Sequence, residues 1–436
     1  MDAVGHGVAL RLAESPFKVA AYNWGREDPT GFPTEVAGHP VRVIADGADL
    51  MASLASPKTV LVFSSEDTPM NSAVALLRPD LEPGDLLIDA GNSYFKDTAR
   101  YQKQLARQGI QFMALGLAGG EAGVRHGAIV MSGGECEPRE RVRPILEAMA
   151  ATVEGKPCLS HFQSPAAAHF VRMVHAGIEL ALLQLLSETF DVLQAALAVT
   201  QEKWPDAPAS SPGAVLHGYL AEIAGQISEP VGQEPPRNLL VKKMESAKNV
   251  SAAKWVVPSA WESDVPIPSL EASLGVERVG IAERWEGLLA APSRHPVHRL
   301  NDDSESVLRE LHGAFHAAML ITYAQGMGLL MAGSKLHDFD LSLHEIPRAW
   351  KGGGRRRASL LDDMAASLQA RPDLPDLLAD DDFSENVMAN QESLRQAIWR
   401  AHDLGQPVPV LMASLDHLDA NKAAWLPANL ICIPHA

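Results

Sequence analysis

Cysteine is scarce in this chain of 436 residues, because only Cys136, Cys158 and Cys432 occur. They lie far apart in the sequence and show no metal-type spacing, whereas disulfide frameworks and zinc sites need paired or closely spaced cysteines. The sequence therefore predicts no disulfide framework and no metal site. This cysteine usage fits a reducing cytoplasm.

Basic residues are also few: 37 Lys and Arg stand against 54 Asp and Glu, for a net charge of −17. Nucleic-acid binding favours clustered Lys and Arg, so such a partner is not expected. Residues 1–30 lack a basic start followed by a long apolar run, so no signal peptide is predicted. The most apolar stretch, 178–199, contains Glu179, Glu188 and Asp191, which favours a core helix over a membrane span.

Two domains are predicted from the length and from a change of pattern along the chain. In the first third, apolar runs at 17–22, 59–63, 85–89 and 111–114 alternate with helical patterns such as 8–13 and 98–108. This alternation predicts a parallel sheet covered by helices, whose ligands bind at the carboxyl ends of the strands. From residue 166 onward helical patterns dominate, including 166–201 and 303–331. We therefore predict an α/β domain over 1–165 and an all-α domain over 166–436.

Five phrases, found in order along nearly the whole chain, resemble those of 6-phosphogluconate dehydrogenases. They are Ile-Asp-Ala-Gly-Asn-Ser at 88–93, a glycine-rich loop at 116–123, a helix at 169–179, Tyr-Ala-Gln-Gly at 323–326 and Trp-Lys-Gly-Gly at 350–353. Each phrase alone is weak, but together they indicate a divergent member of this family.

The resemblance implies a Rossmann-like NADP-binding domain followed by a helical domain, assembled as a homodimer. It also implies a reaction in which 6-phosphogluconate gives a hydride to NADP while a lysine removes a proton. Carbon dioxide then leaves, and a glutamate helps to protonate the enediol to give ribulose 5-phosphate. By position, the resemblance assigns substrate binding to Asn92, Ser93, Gly119, Gly120 and Arg357, and cofactor binding to Gly5, Asn23, Arg26, Ser64 and Asn92.

The catalytic lysine of the family falls on Arg172, which stays protonated and has no acceptor lone pair. The asparagine one turn later is Ala176, and the serine of the glycine-rich loop is Ala118. The family's glutamate and histidine remain as Glu179 and His175. We therefore expect a degenerate catalytic site that keeps one half of its acid–base pair.

Phosphate binding is also expected to be weakened. The tyrosine after the glutamate is Leu180, and the first lysine of the Lys-Gly-Thr-Gly-Lys-Trp loop is Val250, with Lys248 close by. The sequence stops at 434–436, before a family tail that brings an arginine and a histidine into the partner subunit's site. Those two positive contacts are predicted to be missing.

The dinucleotide motif is incomplete at the start of the chain. Gly5 matches the last glycine of Gly-x-Gly/Ala-x-x-Gly, so the preceding strand would lie before Met1. That strand belongs in the middle of such a sheet, and without it we expect a gap with unpaired backbone groups. Two alternatives stay open, namely an upstream start or an incomplete domain. After the second strand, Arg26 is predicted to reach the 2′-phosphate of NADP.

Structural interpretations stay open beside these functional ones. Arg172 either binds an anion or is a charge that pairs with Glu179 or Asp191 at the edge of a packed helix. Asn92 and Ser93 suit an N-cap as well as a ligand. His175 with Glu179 suits a satisfied polar pair, the glycines at 119–120 suit a turn, and the arginines at 355–356 suit a solvated loop.

Three functions follow from the sequence. The first is a degenerate homologue that binds a nucleotide, sugar phosphate or sugar acid at a weakened NADP site without efficient turnover. The second is an active oxidoreductase in which His175 or a water replaces the lysine. The third is a structural or regulatory subunit that forms a heterodimer with an intact paralogue.

Overall fold

The computed structural model describes residues 3–23, 38, 40–64, 69–197, 252–281, 303–353, 358–424 and 426. Strands and helices alternate through the first part of the chain, as the sequence predicts. The strands are β1 (Val19–Tyr22), β2 (Val41–Ile44), β3 (Thr59–Val62), β4 (Leu86–Asp89), β5 (Gln111–Ala118), β6 (Ile129–Gly133), β7 (Thr152–Val153), β8 (Lys156–Pro157) and β9 (Leu159–Phe162). The helices between them are α1 (Ala3–Ala13), α2 (Gly47–Ser53), α3 (Met70–Leu77), α4 (Phe95–Ala106), α5 (Gly120–His126) and α6 (Cys136–Met149).

The main sheet has five strands in the order β3-β4-β5-β6-β9. All pairs are parallel except β5–β6, which is antiparallel. Every residue of β4 is buried, because helices cover both faces of the sheet. The predicted parallel α/β domain is therefore confirmed, with one antiparallel pair that the sequence pattern did not indicate.

The sheet is interrupted next to β3. Strands β1 and β2 pair in parallel as a separate two-stranded sheet, and within the described residues neither β1 nor β3 has a strand on its other edge. Helix α1 covers both sheets: Val8 and Leu12 pack in the cluster of the main sheet, and Ala9 packs against Ala21 of β1. In the part of the chain that the structure describes, the two sheets are therefore separate, in keeping with the expected gap.

The second part of the chain is helical, as predicted. Its helices are α7 (Pro165–Leu197), α8 (Val256–Glu262), α9 (Pro268–Ile281), α10 (Ser304–Leu336), α11 (Glu345–Trp350), α12 (Ala358–Ala370), α13 (Asp381–Asp403) and α14 (Pro409–Lys422). The long helices α7 and α10 cross where Gly326 leaves space for Ile178, since a Cβ at Gly326 would overlap that side chain. The Tyr-Ala-Gln-Gly phrase is thus a packing feature of this domain.

Several predicted boundaries shift in the structure. Strand β5 continues to Ala118, so the first residues of the expected glycine-rich loop are strand residues, and α5 takes most of the others. Helix α1 begins at Ala3 rather than at Val8. The loops predicted at 204–213 and 229–237 lie outside the described residues.

Helices α7 and α10 are long and apolar enough to cross a membrane by length and composition alone. However, 72 % and 89 % of their most apolar windows are buried within the fold. Such burial is typical of core helices, in keeping with the expectation for 178–199.

Candidate active site

Five of the predicted ligand residues lie at one edge of the main sheet. Ser64 follows β3, Asn92 and Ser93 follow β4, and Gly119 and Gly120 follow β5. Because β3, β4 and β5 are parallel neighbours, their carboxyl ends meet at this edge. Ligands of such sheets bind at this edge, so these five residues lie together in a region suited to a ligand site.

Asp89, the last residue of β4, organises the loop that carries Asn92 and Ser93. Its carboxylate is fully buried and accepts hydrogen bonds from the Gly91 N–H at 3.0 Å and from the Ser93 hydroxyl at 2.6 Å. The alternative that Asn92 or Ser93 caps α4 is wrong, because Tyr94 is the N-cap residue and no side chain caps it. No role was predicted for Asp89, although a charged residue at the end of a buried strand was a usable signal.

The loops after β3 and β4 pack closely against each other. A Cβ at Gly91 would lie 2.8 Å from the carbonyl oxygen of Ser64, which is closer than side chains normally approach backbone. The Ser64 hydroxyl lies 3.5 Å from Oδ1 of Asp89. Only glycine therefore fits at position 91, and Ser64 is held beside the Asn92 loop.

Gly119 and Gly120 make the turn from β5 into α5. Their φ angles are +124° and +64°, which glycine adopts without the steric cost that other residues incur. The turn interpretation is correct, and it also leaves the backbone at this strand end open to close approach.

Arg172 of α7 ties the helix to β5. Its Nε donates a hydrogen bond of 2.7 Å to the carbonyl oxygen of Leu117. The aliphatic stem lies over Gly116, where a Cβ would come within 2.5 Å of the Arg172 Cβ. The side chain at the family's lysine position is thus packed against the strand that leads to Gly119.

The rest of the guanidinium is enclosed. Nη1 of Arg172 is buried and has no hydrogen-bond partner within the part of the chain that the structure describes. Burial lowers the pKa of Arg172 below its ordinary value, while the charge of Glu179 acts in the opposite direction. Guanidinium groups nevertheless stay protonated in proteins, so the site holds a cation with one donor nitrogen still to be satisfied.

His175 and Glu179 lie one turn apart on α7. Nδ1 of His175 is 3.6 Å from Oε2 of Glu179, and the His175 ring packs edge-on against Trp350 at 4.9 Å between centroids. The Trp-Lys-Gly-Gly phrase therefore contacts the predicted catalytic helix. In the same phrase, Lys351 pairs with Asp362 and Glu154.

Lys254 and Trp255, from the segment predicted to bind phosphate, lie near the Asn92 loop. Trp255 stacks on Tyr94 with ring centroids 4.4 Å apart, and the Lys254 ammonium lies 5.1 Å from the Trp255 ring. An exposed ion pair, Lys96–Glu262 at 2.6 Å, joins the same two regions. This contact brings α8 beside the carboxyl edge of the sheet.

Three positions where the family resemblance implies polar groups are buried apolar side chains. Ala118, Ala176 and Leu180 are 2 %, 4 % and 3 % exposed. Buried apolar side chains donate and accept no hydrogen bonds, so these positions add no polar contact to the site.

On the cofactor side, Gly5 lies in the first turn of α1, and Asn23 follows β1. Oδ1 of Asn23 is buried without a hydrogen-bond partner among the described residues, as expected of a group that contacts a ligand. Arg26, Arg357, Val250 and Lys248 lie outside the described residues. No group of three or more His, Cys, Asp and Glu side chains in the described ranges is placed to hold a metal ion.

A mostly parallel sheet with glycines and polar side chains at its carboxyl edge, followed by a helical domain, is the architecture of two-domain proteins with a dinucleotide-binding domain. Residues 1–160 match the family model for the NAD binding domain of 6-phosphogluconate dehydrogenase, and residues 168–433 match that for its C-terminal domain.

Individual proteins support the same assignment. The NADP(+)-dependent, decarboxylating 6-phosphogluconate dehydrogenase of Bacillus subtilis is 33 % identical over 98 % of this chain and 92 % of its own. That of Synechococcus elongatus is 32 % identical with the same coverage. The solved structure of Plasmodium falciparum 6-phosphogluconate dehydrogenase superposes with a TM-score of 0.82 at 25 % identity, over 98 % of this chain and 92 % of that one. The chain belongs to the 6-phosphogluconate dehydrogenase family.

Proposed function

We propose that this protein is a family member that binds NADP and a phosphorylated sugar acid but does not carry out efficient oxidative decarboxylation of 6-phosphogluconate. The observation that carries this proposal is the hydrogen bond from Arg172 Nε to the Leu117 carbonyl at 2.7 Å. It places a permanently protonated, packed side chain where the resemblance implies the proton acceptor.

A general base must hold a free lone pair near the operating pH. Guanidinium offers donors only, and one donor of Arg172 is already committed to the backbone. The remaining donors suit a carboxylate or phosphate oxygen, so this residue is fitted to hold an anion rather than to remove a proton. The buried Nη1 without a partner in the described residues supports this role.

The residues present fit a dinucleotide. We assign the first turn of α1 with Gly5, the Asn23 amide, Ser64 and Asn92 to the NADP site, with Arg26 predicted at the 2′-phosphate. When bound, NADP supplies a hydride acceptor. Relatives support this choice: the Bacillus protein is named NADP(+)-dependent, and the Plasmodium structure is described with NADP+ as its cofactor and 6-phosphogluconate as its substrate.

On the substrate side, we assign Asn92, Ser93, the Gly119–Gly120 backbone and Arg172 to binding, with Arg357 predicted to contact the phosphate. We assign to Glu179, beside His175, the donation of a proton late in the reaction. Because no base removes the first proton, little of the enediol that Glu179 would protonate is expected to form.

Isothermal calorimetry with NADP and then with 6-phosphogluconate, followed by an absorbance assay of NADPH formation, tests this proposal. We expect binding of both compounds with little turnover. Turnover at an ordinary dehydrogenase rate would contradict it, whereas no binding of either compound would favour a purely structural subunit.

An active enzyme with a replaced base is the second candidate. The geometry that favours it is the buried His175, held by Trp350 and 3.6 Å from Glu179. In this case the variants His175→Ala and His175→Gln would remove NADPH formation. Full activity in either variant would exclude His175 as the base.

The remaining assignments are also proposals. We propose a domain boundary at 165/166, a homodimer and a cytoplasmic location. A heterodimer with an intact paralogue is the alternative, and co-purification from a cell that contains both proteins distinguishes the two assemblies.

A further inference from the structure

A buried polar contact joins α7 to α4, the helix that follows the Asn92 loop. Nδ1 of His169 in α7 lies 2.7 Å from the hydroxyl oxygen of Thr98 in α4, and both side chains are buried. The same two helices also meet through Phe95 and Phe170, whose ring centroids lie 5.1 Å apart. Apolar packing is not directional, whereas a hydrogen bond fixes both a distance and an angle. The contact of His169 with Thr98 therefore defines how α4 is placed against α7.

The direction of this hydrogen bond follows from the neighbouring groups. The Thr98 hydroxyl also lies 3.2 Å from the carbonyl oxygen of Tyr94, which can only accept. A hydroxyl has one proton to donate, so both contacts are hydrogen bonds only when Nδ1 of His169 donates to Thr98. Burial lowers the pKa of His169, and the charge of Arg172 acts in the same direction, while the charge of Asp89 opposes it. The imidazole is therefore neutral, with its proton on Nδ1.

Apolar packing alone does not explain a histidine at this position. Nε2 of His169 is buried and has no hydrogen-bond partner in the part of the chain that the structure describes, although the backbone of Leu115 and of Asp89 lies nearby. A buried nitrogen without a partner costs free energy, and an apolar side chain of similar size would avoid that cost. The polar contribution of this side chain is thus the bond from Nδ1 to Thr98.

The chain of hydrogen bonds ends at the ligand loop. Tyr94, which accepts the Thr98 hydroxyl bond, is the N-cap residue of α4 and directly follows Ser93. The other end of the loop is held by Asp89, which accepts a hydrogen bond from Ser93. The loop is therefore fixed from the sheet through Asp89 and from the helical domain through Thr98.

Arg172 lies one turn beyond His169 on α7, and residues three apart share one face of a helix. We infer that His169 is a positioning residue that holds the Asn92 loop at a fixed distance from Arg172, so that both sides of the site face the same ligand. The choice of 6-phosphogluconate as the probe rests on the proposed function. The placement of the loop does not, and it can be measured without a ligand.

Thr98→Val tests this inference, because valine keeps the branched shape of threonine and removes the hydroxyl. Thr98→Ser keeps the hydroxyl. On the other helix, His169→Asn keeps a donor close to the position of Nδ1, whereas His169→Gln places its amide close to the position of Nε2. Thr189→Val is the matched control, since it removes a buried hydroxyl of α7 that donates to the Leu185 carbonyl, away from the Asn92 loop.

Two quantities are measured in each protein. Calorimetry gives the affinity for 6-phosphogluconate, and hydrogen exchange gives the protection of the amides at positions 97 and 98, which bond to the Tyr94 carbonyl. We expect Thr98→Val and His169→Gln to weaken binding by about tenfold and to lower this protection by a similar factor. Thr98→Ser, His169→Asn and Thr189→Val should retain both. The threonine pair decides the test if a histidine variant does not fold.

Affinity and protection in Thr98→Val that equal those of Thr189→Val would overturn the inference. A lower unfolding free energy of Thr98→Val with unchanged affinity and protection would overturn it as well, because it would show a purely structural contact. If 6-phosphogluconate does not bind the unmodified protein, the proposed function fails, and the protection of the two amides alone decides whether His169 positions the loop.

Discussion

Nε of Arg172 lies 2.7 Å from the carbonyl oxygen of Leu117 and donates a hydrogen bond to it. This bond joins α7 of the helical domain to β5 of the sheet, at the strand that leads to the Gly119–Gly120 turn. The residue at the family's base position is thus part of the contact between the domains. A lysine at this position would carry an ammonium whose pKa burial can lower, but a guanidinium serves as a fixed cation.

Arg172→Lys should create activity. We expect NADPH formation from 6-phosphogluconate to rise by up to about 10²-fold, because one general base is typically worth about 10²–10⁴ in rate. We expect the gain to stay well below 10⁴, the upper end of that range, because Ala118, Ala176 and Leu180 remain apolar. Initial rates at 340 nm under saturating NADP measure it.

Arg172→Met is the matched control for that variant, since it also removes the guanidinium and its hydrogen bond to Leu117 but supplies no base. Its rate should stay at the level of the unmodified protein, while its affinity for 6-phosphogluconate falls. A similar gain with methionine and with lysine would mean that removal of the guanidinium, rather than a new base, is responsible.

Gly116→Ala should destabilise the protein. The new Cβ would lie 2.5 Å from the Arg172 Cβ, which cannot move without shifting α7. Overpacking of this kind costs about 1–3 kcal/mol. Urea unfolding followed by circular dichroism measures the change.

Gly275→Ala provides the contrast, because that helical glycine of α9 is exposed and a Cβ there meets no atom within 4 Å. It should stabilise the protein by about 0.5–1 kcal/mol through helix propensity alone. Equal effects of the two substitutions would contradict the close packing of Gly116 against Arg172.

Ser93→Ala should loosen the loop after β4. The Ser93 hydroxyl donates a 2.6 Å hydrogen bond to the buried Asp89 carboxylate, and bonds to charged groups contribute about 1.5–3 kcal/mol. We expect a lower unfolding free energy together with weaker binding of 6-phosphogluconate in calorimetry. Ser72→Ala, at an exposed site in α3, should change neither quantity.

Glu188 should make stability depend on pH. Burial raises the pKa of this carboxyl to about 7, although it accepts 3.0 Å hydrogen bonds from the Val410 and Leu411 N–H groups at the start of α14. A raised folded pKa means that the native state binds the proton more tightly than the unfolded state. The contribution of Glu188 to the unfolding free energy is complete below about pH 4.5, the ordinary glutamate pKa. It is lost as the pH rises through about 7.

Unfolding free energies at pH 5 and pH 8, compared with those of Glu188→Gln, measure this effect. The difference between the two proteins should fall by about 2–3 kcal/mol between these values. Glu305→Gln, at an exposed ion pair with Arg309, controls for general charge effects. A difference that stays constant with pH would show that Glu188 does not titrate in this range.

The apolar periodicity was sufficient to predict the α/β domain and the helical domain, whereas the gap in the sheet was expected from the match of Gly5 to the dinucleotide motif. It did not predict the antiparallel β5–β6 pair, because both strands are buried on both faces and the apolar pattern of such strands carries no direction. The end of β5 was also missed, since Gly116 reads as a loop residue. Glycine is required at position 116, inside the strand, because the aliphatic part of the Arg172 side chain lies over it.

At the site, strand ends and family phrases located Ser64, Asn92, Ser93 and the glycine turn. The sequence could not show the partner of Arg172, because a main-chain carbonyl such as that of Leu117 has no sequence signature. The N-cap alternative for Ser93 was wrong because its hydroxyl donates to Asp89, four residues earlier in the chain, and not to the first turn of α4.

The rate of NADPH formation by the unmodified protein, with saturating NADP and 6-phosphogluconate, tests the central claim most directly. Ordinary enzymes turn over at about 10 s⁻¹, and loss of a general base predicts about 0.1 s⁻¹ or less. A rate in that low range, with both compounds bound in calorimetry, is the result that the account predicts. Turnover of about 1 s⁻¹ or more would contradict it and would show that another group removes the proton in place of Arg172.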